Sequence, residues 1–383
     1  MKTFIKFTII STLSLIIFFQ NAFSSEKIKI GLIVPISGKD SKLGNSIIKS
    51  VRLAINKIDD NRIEIIPKDT KSNPINSLRA SKELYDQGVR IVIGPVFNES
   101  VKYLDELKDM TFVSLTNKIY GNPSNVISAG VNAISQINTI KKFNKINNLE
   151  RSIFLIPKTY YKREIDLAIK KTKIKLKDRF YYDSDPTLLT AQIEKLTRYP
   201  QRKQNLKDEI ARLENSLVQN KEKKIEKLKK KDTLGGINFD SVIIADFDES
   251  LKSVATSLLY TDVSSKRISY LTFNQWFNES LLKETSLHPI YFPSINKVNY
   301  DEFIEEYKKI YNEFPNQISF LSYDLFGLIY YLIYENNFKI DEKIFYKKNK
   351  FKGKIGIFEI NKNKISHILN FYVAENNNFK KIF

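Results

Sequence analysis

Side chains that commonly carry out chemistry in proteins are scarce in this sequence. Its 383 residues include no cysteine and only two histidines, His288 and His367, which lie far apart along the chain. The lack of cysteine excludes disulfides, thiolate catalysis, iron–sulfur clusters and thiolate zinc sites. Two distant histidines argue against a histidine-based metal centre, whereas a carboxylate-only calcium or magnesium site stays open.

The sequence motifs of common enzyme classes are also missing. The glycine-bearing stretch 38–45 has no Lys-Ser or Lys-Thr pair after its second glycine, so it lacks the phosphate cradle of nucleotide-hydrolysing loops. Neither a dinucleotide-binding G-x-G-x-x-G after the first predicted strand nor a G-x-S-x-G nucleophile elbow is present. Asp59, Asp60 and Asp69 could in principle act as acid and base, but helix ends and turns explain them better. We therefore predict a binding protein and not an enzyme, with no catalytic residue, cofactor or metal.

Polar and aromatic residues do follow the predicted strands, where ligands bind in parallel α/β sheets. Hydroxyls, amides and helix N-termini suit a carboxylate or another anion, and aromatic rings can close over an apolar ligand. Each residue alone is better explained as a cap, turn or core residue, so the convergence of two sets on one cleft carries the prediction. The candidate ligand-binding residues are Ser37, Asn98, Ser114, Thr116 and Asn117 from the first set, and Tyr161, Asp246, Phe247 and Gln275 from the second.

The elements that would position these residues alternate between strand and helix. Apolar runs predict two successive sets of strands, at 28–35, 62–69, 89–94 and 111–115, then at 152–156, 180–182, 241–245 and 268–273. Helices between such strands imply right-handed crossovers and parallel sheets covered on both faces. We therefore predict an α/β protein of two lobes, each a parallel sheet flanked by helices. Lobe 1 is assigned to 25–146 and 290–346, and lobe 2 to 147–289 and 347–383, where the tail from 355 reads as antiparallel strands with a turn at 361–364.

A helical insertion, residues 188–236, interrupts the second lobe. Asn220 predicts a turn within it and Pro200 a kink or restart of the helix. Residues 198–232 hold 12 Lys+Arg against 6 Asp+Glu. The pattern predicts a basic helical hairpin, which is either a solvated structural element or an arm that docks another macromolecule. The leucines and isoleucine at coiled-coil spacing are Leu206, Ile210, Leu213 and Leu217.

The N-terminus predicts export. Lys2 and Lys6 precede a short apolar run, residues 7–19, and Ala22-Phe23-Ser24 then provides small residues at the positions that signal peptidase reads. The run is shorter than the about 20 residues that a membrane-spanning helix needs. We predict a cleavable signal peptide, residues 1–24, and a periplasmic chain that does not span the membrane; an uncleaved anchor is the alternative.

The formal net charge of +19 is large for a chain of this length. A basic surface can favour nucleic acid, an anionic membrane or an anionic wall polymer. However, Lys, Ile, Asn, Tyr and Phe are all abundant, and their codons are rich in A and T. We attribute the charge mainly to genome composition and predict no nucleic-acid partner.

Three stretches of the sequence resemble the type I periplasmic binding proteins of the leucine/isoleucine/valine kind: KIKIGLIVPISGKDSKLGNSIIKSVRLAI, IIPKDTKSNPINSLRASKELYDQGVRIVIGP and FVSLTN. The resemblance implies two lobes that close on a ligand by a hinge motion. It places Asn98, Thr116 and Asn117 where relatives hold a ligand carboxylate, and Tyr161 and Phe247 at aromatic positions of the second lobe. In relatives, a carboxylate side chain contacts the α-ammonium of the ligand. The matching position in this sequence falls near the uncharged Gln275, although Asp246 could supply the carboxylate instead.

Other stretches are similar to the penicillin-binding protein activators, namely the insertion, the segment DTLGGINFDSVIIADF and the tail FKGKIGIFEINKNKISHILNFYVAENNNFKKI. This resemblance implies a non-catalytic regulator of peptidoglycan synthesis whose partner is a cell-wall synthase, a penicillin-binding protein. Familiar activators carry a lipid-bearing cysteine, which this sequence lacks. The alternative is the substrate-binding protein of an ABC transporter, which delivers an amino acid or similar small molecule to an ABC permease.

Overall fold

Fifteen strands and eleven α-helices alternate along residues 27–383, which are the residues that this computed structural model describes. The predicted signal peptide, residues 1–24, lies outside them. No helix within residues 27–383 has the length and apolarity needed to cross a bilayer. The strands are β1 (Ile28–Val34), β2 (Ile63–Asp69), β3 (Ile91–Ile93), β4 (Thr111–Ser114), β5 (Val126–Ser128), β6 (Ser152–Pro157), β7 (Asp178–Tyr182), β8 (Ser241–Ile244), β9 (Ser269–Thr272), β10 (Ile290–Ser294), β11 (Asn349–Lys352), β12 (Ile357–Ile360), β13 (Ile365–Ile368), β14 (Asn370–Glu375) and β15 (Asn378–Lys381). The helices are α1 (Ser41–Ile58), α2 (Pro74–Asp86), α3 (Ala133–Ile146), α4 (Lys162–Thr172), α5 (Pro186–Thr197), α6 (Tyr199–Glu214), α7 (Lys221–Lys229), α8 (Asp248–Tyr260), α9 (Ser280–Lys283), α10 (Lys297–Tyr311) and α11 (Gln317–Glu335).

The first lobe contains a parallel sheet in the order β2-β1-β3-β4-β5. Successive residues of β1 enter different cores, since Leu32 packs in one apolar cluster and Ile33 in the other. Helix α2 lies against β1 and β2, and α11 packs on α1. At Gly44 a Cβ would lie 1.8 Å from the carbonyl oxygen of Pro35, so glycine lets α1 begin close to the end of β1. The predicted parallel α/β architecture of this lobe is confirmed.

The segment between β3 and β4 differs from the prediction of a helix. It contains only two 3₁₀ turns, Asn98–Val101 and Leu104–Glu106. Its buried residues Val101 and Leu104 are three positions apart. A spacing of three matches the period of a 3₁₀-helix, which places both side chains on one face, whereas no longer apolar stripe supports an α-helix.

The second lobe contains a seven-stranded sheet in the order β15-β14-β10-β9-β8-β6-β7. Strands β10, β9, β8, β6 and β7 are parallel, and β14 and β15 are antiparallel to their neighbours, as predicted for the tail. The predicted assignment of residues 290–346 to lobe 1 begins one strand too early, because β10 pairs with β9 and β14 of the second sheet. Ile290 and Phe292 of this strand are fully buried, which fits an interior strand of this sheet.

Strands β11, β12 and β13 form a separate antiparallel sheet, called here the bridging sheet. Phe351 of β11 packs on Tyr331 of α11, with ring centroids 5.7 Å apart. On the other side, the His367 N–H in β13 donates a hydrogen bond of 2.9 Å to Ser135 Oγ in α3. Helix α3 packs on the second lobe, where Ile140 and Phe143 share an apolar core with Phe154 of β6, so its assignment to lobe 1 is wrong. Residues 349–368 therefore contact both lobes, whereas the sequence analysis assigns them to lobe 2 alone. The predicted turn at 361–364 does connect β12 to β13.

The insertion consists of three helices, α5, α6 and α7, of which α6 and α7 form the predicted hairpin. Arg198 has a left-handed φ of 53° that separates α5 from α6, and Pro200 lies in the first turn of the restarted helix. Leu206 and Leu213 of the predicted seam are buried, whereas Leu217 is fully exposed. The seam stops there because α6 ends at Glu214, so Leu217 lies in the connection to α7.

Candidate functional site

Predicted residues of the second lobe meet around the buried carboxylate of Asp246, just beyond the carboxyl end of β8. Its Oδ2 accepts a 2.6 Å hydrogen bond from the Tyr182 hydroxyl at the end of β7. Its Oδ1 accepts hydrogen bonds from the Phe247 N–H at 3.0 Å and the Tyr161 hydroxyl at 3.3 Å. Three donors from separate segments thus converge on one carboxylate, and we call these residues the Asp246 cluster.

Burial sets the protonation of the Asp246 cluster. It raises the pKa of Asp246 above its ordinary value, and the hydrogen bonds from Tyr182, Phe247 and Tyr161 act in the opposite direction. Burial and the neighbouring carboxylate raise the pKa of both tyrosines well above the usual value, so both hydroxyls keep the proton that they donate. The cluster therefore holds strands β7 and β8 and the start of α4 together. The Asp246 carboxylate already accepts three hydrogen bonds within the chain.

Gln275 is buried just beyond the end of β9 and is occupied by internal contacts. Its Nε2 donates to the Phe273 carbonyl at 3.2 Å, to Thr272 Oγ1 at 3.3 Å and to the Asp246 carbonyl at 3.4 Å. Phe247, in contrast, is 38% exposed. In this lobe the free surface near the cluster is therefore aromatic, while the predicted polar groups hold the strand ends in place.

In the first lobe, Ser37 is bound to Asp69. The Asp69 carboxylate accepts hydrogen bonds from Ser37 Oγ at 2.5 Å, the Ile36 N–H at 2.8 Å and the Lys71 N–H at 2.9 Å. Although burial opposes them, these bonds hold the pKa of Asp69 below its usual value. Asp69 thus connects the ends of β1 and β2, in agreement with the structural interpretation of this carboxylate.

Of the remaining first-lobe residues, one keeps a buried polar atom without a partner and another is exposed. Ser114 Oγ is buried and donates to the Pro95 carbonyl at 2.7 Å, and Thr116 Oγ1 accepts from the Lys118 N–H at 3.3 Å. Asn98 is half-buried, and its Oδ1 accepts no hydrogen bond from any residue of 27–383. Asn117 is exposed. Within the described residues, no hydrogen bond joins the five first-lobe residues to the four second-lobe residues, so their convergence on one ligand remains a prediction.

One contact between the lobes was missed by the sequence analysis. The Ile119 N–H, in the loop after β4, donates a 2.7 Å hydrogen bond to Glu164 Oε1 in the first turn of α4. Beside it, the Arg163 guanidinium lies 4.8 Å from the ring centroid of Tyr120. Burial raises the pKa of Glu164. In the sequence these residues belong to an ordinary charged helix, and nothing there indicates that the other lobe reaches them.

Comparison with known proteins identifies the fold. Residues 27–156 match the family model described as periplasmic binding protein, and no curated protein matches the chain. A candidate branched-chain amino acid ABC transporter from Rhodospirillum rubrum superimposes with a TM-score of 0.70 at 12% identity, covering 93% of this chain and 100% of that chain. The C-domain of LpoA from Haemophilus influenzae, a regulator of PBP1A, gives a TM-score of 0.63 at 12% identity with the same coverage.

A third structure is the branched-chain amino acid transporter substrate binding protein LivJ from Streptococcus pneumoniae, in complex with isoleucine. It gives a TM-score of 0.54 at 16% identity and covers 93% of this chain and 99% of that chain. Identities this low show a shared fold without showing a shared ligand or partner. The chain therefore has the two-lobed fold of the type I periplasmic binding proteins, and residues 27–156 match the model of that family.

Proposed function

We propose that this chain is a non-enzymatic periplasmic protein that regulates peptidoglycan synthesis by binding a cell-wall synthase, a penicillin-binding protein. The observation that carries the proposal is the basic hairpin α6–α7, which has exposed apolar residues at its tip. Leu217 is fully exposed and Val218 is 40% exposed between the two helices. An exposed leucine beside many lysines suits a partner surface that offers an apolar pocket with acidic surroundings.

The base of the hairpin is firmly attached to the second lobe. Arg202 is buried, and its guanidinium donates to the Thr261 carbonyl at 3.0 Å and to Thr233 Oγ1 at 2.7 Å. The carboxylate of Asp262 lies 3.4 Å from the same guanidinium. A planar guanidinium with several acceptors is a specific attachment, since each bond constrains its orientation. The hairpin therefore leaves the lobe in a defined direction, as a docking element requires.

The outer helix of the hairpin makes little contribution to a core. None of the residues of α7 is buried, and four of its five lysines are exposed. A helix that buries so little is poorly stabilised by packing, so a partner surface is a plausible reason for keeping it. Long-range attraction between these lysines and an acidic surface would speed the encounter, and the apolar tip would supply contact area.

The cleft residues support protein binding over the capture of a free amino acid. The Asp246 carboxylate already accepts three hydrogen bonds, and Gln275 carries no charge. An α-ammonium placed here would lose its water without gaining a free counter-charge, which is costly. A canonical amino-acid site is therefore disfavoured by the arrangement of this lobe.

The second candidate is the substrate-binding protein of an ABC transporter. It is favoured by the half-buried Asn98 and the exposed Asn117, whose Nδ2 groups can donate to a small carboxylate, while the unpaired Asn98 Oδ1 can accept from a hydroxyl of the same ligand. Phe247 would then supply an apolar contact from the other lobe. On this alternative the ligand is a small carboxylate without an ammonium group, and the partner is an ABC permease.

The first candidate is tested by the affinity of the exported chain for a purified penicillin-binding protein of the same organism. The tip variant Leu217→Asp/Val218→Asp is expected to bind at least roughly tenfold more weakly, because central apolar contacts dominate interface energies. The matched control is Ile75→Asp, which changes an exposed isoleucine on α2, far from the hairpin in sequence. Equal affinity for wild type and tip variant would refute docking through the hairpin.

The second candidate is tested by thermal unfolding with amino acids and small carboxylates. A ligand at 100 times its dissociation constant stabilises the folded state by about 2.7 kcal/mol. The second candidate would replace the first if a carboxylate raises the unfolding temperature of wild type but not of Asn98→Ala, and if the chain binds no synthase.

A further inference from the structure

We propose that a second site, separate from the strand-end residues, binds an anionic sugar. It is a cavity of about 720 Å³ between the loop 119–124 of the first lobe and the bridging sheet β11–β13. None of the nine predicted cleft residues lines it. Its volume lies within the range of small-molecule sites and is sufficient for one or two sugar rings.

The charges that line the cavity select an anion. Its lining contains five lysines but only one carboxylate, that of Glu359. Glu359 forms a salt bridge of 2.9 Å with Lys350, and the other four lysines form no salt bridge with the side chains of residues 27–341 and 343–383. Several cations around one concave surface raise the local concentration of anions. The lysines are Lys171, Lys348, Lys350, Lys362 and Lys364.

Two amides in the wall indicate that the ligand also donates hydrogen bonds. Asn122 Nδ2 donates to Ser128 Oγ at 2.7 Å, and Asn363 Nδ2 donates to the Ser124 carbonyl at 3.3 Å. These bonds orient the amides, and the Oδ1 atoms of both asparagines are buried without a donor among residues 27–383. A buried acceptor without a partner is unfavourable, so a rotation of either amide that turns its Oδ1 towards a ligand hydroxyl or amide N–H would be favoured.

The cavity also offers apolar contact. Tyr120 and Tyr346 line it, as do the aliphatic side chains of Ile119, Ile360 and Ile365. Aromatic and aliphatic groups suit the C–H face of a sugar ring, which inorganic phosphate lacks. Lysines for an acidic group, amide oxygens for hydroxyls and an apolar wall together specify a sugar that carries a carboxylate or a phosphate.

The position of the cavity links this ligand to the relation between the lobes. Its walls include the first-lobe loop, the bridging sheet and Lys171 at the end of α4 in the second lobe. A bound sugar acid would therefore contact three parts of the chain at once. Binding is expected to stabilise the folded chain, because the ligand is recognised only when these parts are assembled.

The test is isothermal titration of the full exported chain with glucose 6-phosphate and with glucuronate, which separate the phosphate and carboxylate versions of the ligand. Glucose and inorganic phosphate are titrated in parallel to separate the contributions of ring and charge. The charge variant is Lys362→Glu/Lys364→Glu, and its control is Lys223→Glu/Lys227→Glu on α7, with the same change in net charge. Asn363→Gly is a second variant, because glycine tolerates the left-handed φ of 61° at this position.

We expect at least one sugar acid to bind more tightly than both glucose and inorganic phosphate. The Lys362→Glu/Lys364→Glu variant should weaken that binding at least roughly tenfold and the α7 control less than about twofold. Asn363→Gly should weaken the sugar acid and leave inorganic phosphate unchanged.

Three results would overturn the proposal: no binding of either sugar acid, an equal loss of affinity in the α7 control, or inorganic phosphate binding as tightly as the better-bound sugar acid. None of these depends on whether a synthase is bound.

Discussion

The Asp246 cluster makes a quantitative prediction for Tyr182→Phe. This substitution removes only the hydroxyl that donates to Asp246 Oδ2 over 2.6 Å and leaves the fully buried ring in place. A hydrogen bond to a charged group contributes about 1.5–3 kcal/mol to stability, whereas one between neutral groups contributes about 1 kcal/mol. Near neutral pH, where we take Asp246 to be ionised, the variant should lose about 2–3 kcal/mol of unfolding free energy.

The matched control is Tyr270→Phe in strand β9 of the same sheet. Tyr270 is also fully buried, and its hydroxyl donates to a neutral acceptor, the Val263 carbonyl, at 2.5 Å. Its loss should therefore cost only about 1 kcal/mol. The two variants remove the same atom from the same sheet and differ in the charge of the acceptor.

The dependence on pH separates the two variants further. Because the folded-state pKa of Asp246 is raised, its ionisation destabilises the folded state as the pH rises through that value. Removing the Tyr182 donor raises the pKa further, so the variant loses most stability at high pH, where the carboxylate is ionised. As the pH falls and Asp246 is protonated, the loss should approach that of Tyr270→Phe, which itself should not change with pH.

Urea unfolding measures these differences in unfolding free energy. The fluorescence of Trp276, the one tryptophan of the sequence, reports the unfolding transition, and this residue lies next to Gln275 in the second lobe. Both variants are compared with wild type at several pH values between acid and neutral. Equal losses for the two variants at neutral pH, or a pH-independent loss for Tyr182→Phe, would refute an ionised Asp246 as the centre of the cluster.

Two further predictions concern the junction between the lobes. Burial lowers the pKa of His367 from 6.5 to about 4, so this residue destabilises the folded state as the pH falls between these values. In urea unfolding, wild type should lose up to about 3 kcal/mol more unfolding free energy than His367→Gln between pH 7 and 4. The same dependence of unfolding free energy on pH in both proteins would contradict this. At Gly353 a Cβ would lie 2.2 Å from Asp324 Oδ2, which already accepts the Ile355 N–H at 2.6 Å. Gly353→Ala should therefore lower the free energy of unfolding in urea by about 2–3 kcal/mol. The control Gly236→Ala, which has open space around it, should lower it little. Similar urea midpoints for the two variants would argue against a tight contact at Gly353.

Local signals in the sequence were sufficient for most elements. The strand predicted at 62–69 is β2 (Ile63–Asp69), and the helix predicted after it is α2, where Asn73 Oδ1 accepts the N–H groups of Ile75 and Asn76 at 2.9 and 3.2 Å. Buried parallel strands are continuous apolar runs, and caps and prolines mark helix starts within three or four residues. Such features depend on neighbours in the chain, so they can be predicted without knowing the fold.

Features made by distant residues could not be predicted in this way. Strand β10 is short and contains Pro293, and its place in the second sheet depends on β14, which lies about 80 residues later. The hydrogen bond between Ile119 and Glu164 also depends on residues that are distant in the sequence. The same is true of the way in which the bridging sheet contacts both lobes. Likewise, Leu217 fits the heptad spacing of its neighbours, and only the end of α6 at Glu214 leaves it exposed.

By itself the sequence determined the fold class, the order of the strands along the chain and the polar residues at their carboxyl ends, because hydrophobic periodicity and capping are local. Only the tertiary structure decided which of those polar groups are already occupied. Asp246 is bound by Tyr161 and Tyr182, more than sixty residues earlier, whereas Asn98 and Asn363 retain unpaired oxygens. Hydrogen-bond partners are chosen by packing, and packing brings together side chains whose separation along the chain carries no information about their distance in space.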